Sequence, residues 1–241
     1  MSTESSQNAE EGGKTFRPYV KSEDEIKREQ KKKQENFDKG KMAEKSFKDF
    51  LNDNKIPFYY IDQSKDSFSK IFQIKNIKRP DYIVYTEKGV FHIDVKCRKK
   101  YSLVSKEEER FSLSQKDIEK LFNFHYKLCS NTWIAFTDEK AKDFFYAPIS
   151  KIYDYYIYII NGINERRSKK EEYEEFNWVF KDFCPIHIPE TFLYNNLSFE
   201  KGFYEEPDWN FSEADIGHHI KKAWQLAEIR FKQNINIDFS D

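Results

Sequence analysis

Apolar residues change their spacing several times along this chain, and each change marks an element. Ala43, Phe47, Phe50 and Leu51 recur at helical spacing, with no Gly or Pro from Lys41 to Asn54. Pro57 follows soon after, so a helix is expected over about 38–54. Pro57 to Asp62 reads as a strand and Gln63 to Arg79 as a variable loop. Two apolar runs, Tyr82 to Tyr85 and Val90 to Val95, then flank a polar turn ending in Gly89. Glycine tolerates the positive φ such a turn needs, so this stretch reads as a β-hairpin. Ser114 opens a helix to Leu128, with Asp117 three residues on as a capping-box partner. Its apolar side is Ile118, Leu121, Phe122 and Phe124 or His125. Thr132 to Thr137, with Trp133-Ile134-Ala135-Phe136 inside it, reads as a buried strand.

Beyond residue 140 the spacing is less decisive. Pro148 is placed to start a helix, but Tyr153 to Ile160, rich in Tyr and Ile, fits helix or strand. Glu165 to Glu175 is a charged connection. Trp178 to Ile188 contains a strand punctuated by Pro185 and Pro189. Ser212 and Asp215 form a second capping-box pattern. An amphipathic last helix follows, with Ile220, Ala223, Trp224, Leu226, Ala227 and Phe231 on its apolar side. Residues 1–22 have the composition of a disordered tail. Residues 23–37 are charge-dense and fit a solvated helix or a linker.

The hairpin also carries the chemistry. With Glu87 and Lys88 as a two-residue turn, Asp81 lies directly across from Asp94. Side chains alternate along a strand, so Asp94 and Lys96 project to one side, with His92 on the same face. Two carboxylates and an ammonium converge at one end of the hairpin. Two adjacent carboxylates repel unless a positive charge stands between them. A divalent ion and a lysine would resolve that repulsion. Charges set among Ile93 and Val95 need partners, because a desolvated lone charge is costly. Upstream, Glu44 borders the apolar stripe of the first helix.

Together these residues resemble the PD-(D/E)XK nuclease superfamily, the restriction-endonuclease-like fold. Pro80-Asp81 looks like its first acidic motif and Asp94-Val95-Lys96 like its (D/E)-x-K motif. Lys39-Gly40-Lys41-Met42-Ala43-Glu44 looks like the glycine-then-glutamate opening helix of Holliday-junction-resolvase-like members. Gln115 is placed like the polar residue many members carry at the start of the next helix. The resemblance covers about residues 38–137. It implies an α/β fold with an αβββαβ core, a mixed central sheet and flanking helices. That core would span 38–147, with a C-terminal α+β extension, 148–241, packed on it. It implies a Mg²⁺-dependent DNA endonuclease, with Mn²⁺ as a substitute ion. Asp81, Asp94, the Val95 carbonyl and Glu44 would be ligands. Glu44, Asp81, Asp94, Lys96 and Gln115 would form the catalytic set. Lys41, Arg98, Lys99 and Lys100 would meet the nucleic acid. An RNA endonuclease, or an inactive nucleic-acid-binding or assembly module, are the alternatives. A homodimer or larger nucleoprotein complex is compatible with each.

Charge refines the picture. The 241-residue chain has a formal net charge of −1. Asp38 to Lys100 nevertheless holds 15 Lys+Arg against 9 Asp+Glu, a balance of +6. Lys151 to Asp241 holds 11 against 17, a balance of −6. A concentrated basic face binds phosphates even when the whole chain is neutral. No apolar run approaches the ~18 residues of a membrane span. The N-terminus is polar and acidic, so no signal peptide is expected. The three cysteines, Cys97, Cys129 and Cys184, are isolated, as expected in a reducing cytoplasm. No glycine-rich phosphate loop and no Ser/His/Asp or Cys/His signature is present.

Overall fold

A computed structural model describes residues 22–64, 66–67, 69–70, 72, 76–98, 101–102, 109–138, 143–167, 185–195, 207 and 209–235. Residues 1–37 and the compact unit Asp38–Asp241 separate by their contacts. Helix α1 is Glu23–Asp53. Its start is a capping box: Ser22 N–H donates to Glu25 Oε2 at 2.9 Å, and Glu25 N–H donates back to Ser22 Oγ at 3.3 Å. The elements that follow all belong to the second unit. The tail expected over residues 1–22 lies, but for Ser22, outside the described residues.

Five strands form a mixed sheet in the order β1 (Phe58–Tyr60), β2 (Tyr82–Thr86), β3 (Gly89–Cys97), β6 (Thr132–Thr137), β7 (Phe145–Pro148). Only β3 and β6 run parallel. A parallel pair needs a crossover, and here it contains β4 (Tyr101–Ser102), β5 (Glu109–Leu113) and helix α2 (Gln115–Lys127). No sequence pattern signals the strands β4 and β5. With β8 (Ile186–Pro189) they make a second, antiparallel sheet in the order β4-β5-β8. A one-turn 3₁₀ helix, Glu190–Phe192, follows β8.

The hairpin is set by its turn. Thr86 pairs with Gly89, leaving Glu87 and Lys88 as the two turn residues, and Gly89 takes φ 124°. Tyr82 pairs with Ile93 and Ile83 with His92. Alternation then sorts the side chains. Tyr82, Val84, Phe91, Ile93 and Val95 join one apolar cluster with Ala43, Phe47 and Leu51 of α1. There Phe47 meets Tyr82 edge-on at 5.2 Å between ring centres. The opposite face carries Asp81, His92, Asp94 and Lys96, and His92 packs on Phe124 of α2.

Helix α3 (Ile149–Arg167) includes the stretch whose spacing fits helix or strand. It buries Ile152, Tyr155, Tyr156, Ile159 and Ile163, a stripe at helical spacing. Its Tyr153 stacks flat on Phe122 of α2, 3.7 Å between ring centres. The same cluster includes Phe111, Phe136, Ile186 and Ile188, then Ile216 and Ala223 of the last helix, α4 (Glu213–Ile235). Ser212 and Asp215 make the second capping box, with Ser212 N–H donating to Asp215 Oδ2 at 3.0 Å. No described helix is long and apolar enough to cross a membrane.

Candidate active site

The start of the hairpin delivers two carboxylates to one point. Asp81 N–H donates at 2.9 Å to the carbonyl of Ile93, the residue paired with Tyr82, so Asp81 stays on β3 one step out of the regular register. Its side chain turns back onto the same strand, where Oδ2 accepts from the Val95 amide at 2.7 Å. Asp94 is fully buried, Lys96 is 7 % exposed and Asp81 is 8 % exposed. Lys96 Nζ is ion-paired with Asp94 Oδ2.

Two residues outside the expected set complete this cluster. Lys78 Nζ lies 3.0 Å from Asp94 Oδ1 and 3.5 Å from Asp117 Oδ1. Arg98 reaches Asp117 Oδ2 at 3.8 Å. Lys78 is carried by the irregular approach to β2, which runs along α2: Lys78 N–H donates to the Lys120 carbonyl at 3.2 Å. Asp117 sits in the first turn of α2, where Ser114 caps it by accepting from the Asp117 amide at 3.1 Å. Sequence spacing explains Asp117 as a capping residue and leaves Lys78 in a loop. Only the packing of that loop on α2 brings Lys78 between Asp94 and Asp117.

The electrostatics follow from burial. Burial, then the neighbouring Asp94 charge, push the Asp81 carboxyl up to about 7. Burial pulls the Lys96 ammonium down against the opposing pull of Asp94. Burial also works against the Lys78 ammonium, but Asp94 and Asp117 outweigh it and raise its value. Burial opposes ionisation of Asp117 too, and there Lys78 and Lys96 prevail and lower it. Asp94 Oδ1 is buried without a hydrogen bond among the described residues, despite its contact with Lys78. A buried carboxylate oxygen with an unfilled lone pair beside a second carboxylate is a donor set that suits a hard divalent ion.

Glu44 is placed elsewhere. Its carboxylate accepts from Lys41 Nζ at 2.8 Å and from the Tyr60 hydroxyl at 3.0 Å. The segment of α1 that carries it packs on the sheet face opposite Asp81 and Asp94, and the Tyr82 hydroxyl donates to the Glu44 carbonyl. Lys41 is thereby drawn to Glu44 and Tyr60. Among the described residues no group of three or more His, Cys, Asp or Glu gathers as a metal cage. Gln115 is buried as the first residue of α2, two residues before Asp117. Lys99 and Lys100 lie outside the described residues. The described contacts therefore join Asp81 and Asp94 in one cluster with Lys96, Lys78, Asp117 and Arg98.

No known protein-family model and no curated protein matches this chain. Among solved structures, it is similar to Hjc from Archaeoglobus fulgidus, a Holliday junction resolvase from an archaeal hyperthermophile. The identity is 18%, over 46% of this chain and 78% of that one, with a TM-score of 0.33.

Proposed function

We propose that this chain is a divalent-metal-dependent endonuclease that hydrolyses phosphodiester bonds in DNA. The observation that carries the reading is the meeting of Asp81, Asp94 and Lys96 on one buried sheet face, with Asp94 Oδ1 left without a hydrogen bond. Asp81, Asp94 and the Val95 carbonyl are the groups that would hold Mg²⁺ or Mn²⁺. Such an ion supplies charge to polarise the scissile phosphate and makes an attacking water more acidic. Lys96 is poised to orient that water or to offset charge growing on the phosphate oxygens. Asp94 holds the Lys96 ammonium in place. Gln115, buried at the head of α2, is assigned to positioning. Arg98, tied to Asp117, is assigned to a neighbouring phosphate.

One observation favours a second reading. Lys78 and Lys96 both neutralise Asp94, and Glu44 is engaged by Lys41 and Tyr60. A site balanced by its own lysines also suits a module that binds nucleic acid without cutting it. A cleavage panel separates the two. Duplex, single-stranded and branched DNA, with RNA beside them, are incubated with Mg²⁺ or Mn²⁺. Cleavage that Asp94→Asn abolishes supports the endonuclease. Tight binding with no cleavage of any substrate supports the binding module, and cleavage of RNA alone changes the substrate class.

A further inference from the structure

A cavity of about 370 Å³ opens beside the acidic site, between the Ile77–Arg79 segment, the first turns of α2 and Gln63. That is the small end of the ~300–1,000 Å³ typical of ligand pockets. Among the described residues its lining includes four cations, Lys78, Arg79, Lys116 and Lys120, against a single carboxylate, Asp117. Lys116 and Lys120 are four residues apart on α2, so their stems rise from one helix face. Neither has an ion-pair partner among the described residues. Arg79 is fixed from behind, donating to Ser67 Oγ at 2.7 Å and to the Ser64 carbonyl at 2.9 Å. Gln63 is held by its bond to the Pro80 carbonyl. Among the described residues, Ile77 is the only wholly apolar lining side chain.

We propose that this cavity is a phosphate subsite that takes one phosphate ester of the strand entering the acidic site. The excess of cations over carboxylates selects an anion, and in a nucleic-acid strand the anionic group is the backbone phosphate. Lys78 ties the subsite to the acidic site, because this residue lines the cavity and its ammonium contacts Asp94. The assignment to a strand rests on the nucleic-acid reading above. The preference for an anion does not.

The test uses the full chain in EDTA, so that nothing is cut. Binding of a 5′-phosphorylated and a 5′-hydroxyl single-stranded DNA 10-mer is followed by fluorescence anisotropy across a salt series. The variants are Lys116→Gln/Lys120→Gln and a charge-matched control, Lys221→Gln/Lys222→Gln on α4. Melting curves confirm that both fold. The pocket variant is expected to bind roughly tenfold more weakly. Its salt dependence should flatten by about 0.7, one single-strand phosphate contact. The control should remain within twofold of wild type. A loss confined to the 5′-phosphorylated strand identifies a terminal phosphate, and an equal loss on both strands an internal diester. Equal losses in pocket variant and control, unchanged affinity in the pocket variant, or no binding by wild type would overturn the proposal. Absence of cleavage with Mg²⁺, alongside the expected binding loss, would remove the endonuclease and leave the subsite standing.

Discussion

Lys78 Nζ sits 3.0 Å from Oδ1 of Asp94, a carboxylate with no solvent exposure, yet the contact lacks hydrogen-bond geometry. The ammonium therefore balances charge there without filling the oxygen's lone pair. A metal ion and this lysine would compete for one anionic centre. Removing the lysine leaves Asp94 with Lys96 as its only close cation among the described residues. The expected result for Lys78→Met is a stability loss on the order of 1–3 kcal/mol in EDTA, largely recovered on adding Mn²⁺. Thermal melts with and without Mn²⁺ check it. The same loss in both conditions would mean that no ion replaces the lysine at Asp94.

Lys96→Ala tests the chemical step itself. The ammonium is buried against Asp94, and its proposed role lies with the reacting phosphate rather than with distant backbone contacts. Turnover should fall roughly 10²-fold or more, with DNA affinity changed only a few-fold. Single-turnover cleavage and anisotropy together measure the two. A variant that cuts normally but binds weakly moves Lys96 to the phosphate-anchoring group.

What the sequence makes readable is local. The hairpin register follows from a two-residue turn closed by Gly89, so the pairing of Tyr82 with Ile93, next to Asp81 and Asp94, can be read from spacing. Ser114 and Asp117 mark the start of α2 in the same way. Tyr153 to Ile160 fits two elements equally, because both Tyr and Ile suit strands and a heavily buried helix lacks a clean polar face. The β5–β8 pairing, which joins Phe111 to Ile188, is set by packing at long range and leaves no short pattern. The role of Lys78 is hidden for the same reason. It lies in irregular backbone, where no period tells which way a side chain points. Glu44 shows the opposite limit. Its place beside the apolar stripe is visible, but its capture by Tyr60 depends on β1 lying alongside α1.

A buried ion pair holds the last helix. Arg110 of β5 donates to Asp215 Oδ1 at 2.8 Å, both groups nearly without exposure, and Asp215 Oδ2 also accepts from Ser212. Asp215→Asn would leave the guanidinium buried without its counter-charge. The expected cost is about 3–5 kcal/mol by urea unfolding. The double variant Arg110→Met/Asp215→Leu should recover much of it, since an apolar pair needs no charge compensation. A single variant within ~1 kcal/mol of wild type would show that water reaches the arginine.

At Gly162, α3 lies close against Ile216 of α4. A Cβ there would overlap the Ile216 side chain, with Cγ1 at 2.8 Å. Gly162→Ala should destabilise by about 1–3 kcal/mol despite alanine's better helix propensity. Pairing it with Ile216→Val, which clears the end of that side chain, should restore part of the loss. Stabilisation by Gly162→Ala alone would mean that the two helices can separate at no cost.

The three histidines His187, His218 and His219 supply a pH dependence. Their rings meet at 5.1–5.7 Å between centres beneath the start of α4. His219 Nε2 accepts from the His187 amide at 2.9 Å, and its Nδ1 faces the Asp215 carbonyl at 2.8 Å. Burial first, then the neighbouring histidines, Arg110 and Lys222, hold His187 and His218 down to about 3. Burial, with Arg110 adding to it against the Asp215 carbonyl and carboxylate, holds His219 at about 4. In the unfolded chain each titrates near 6.5. From 6.5 downward the unfolded state therefore binds more protons than the folded one. Stability is complete above about pH 6.5 and is lost as pH falls toward 3–4, by up to ~1.4 kcal/mol per pH unit for each histidine. Asp81, raised to about 7, takes up its proton in the folded state over the same range and acts with the opposite sign. The decisive measurement is thus a difference. His218→Phe removes one titrating ring whose Nε2 has no hydrogen-bond partner among the described residues. Around pH 5 its unfolding free energy should depend on pH less steeply than that of wild type, by roughly 1 kcal/mol per unit. Parallel curves for the two proteins would mean that His218 is protonated in the folded state and that the cluster opens to solvent.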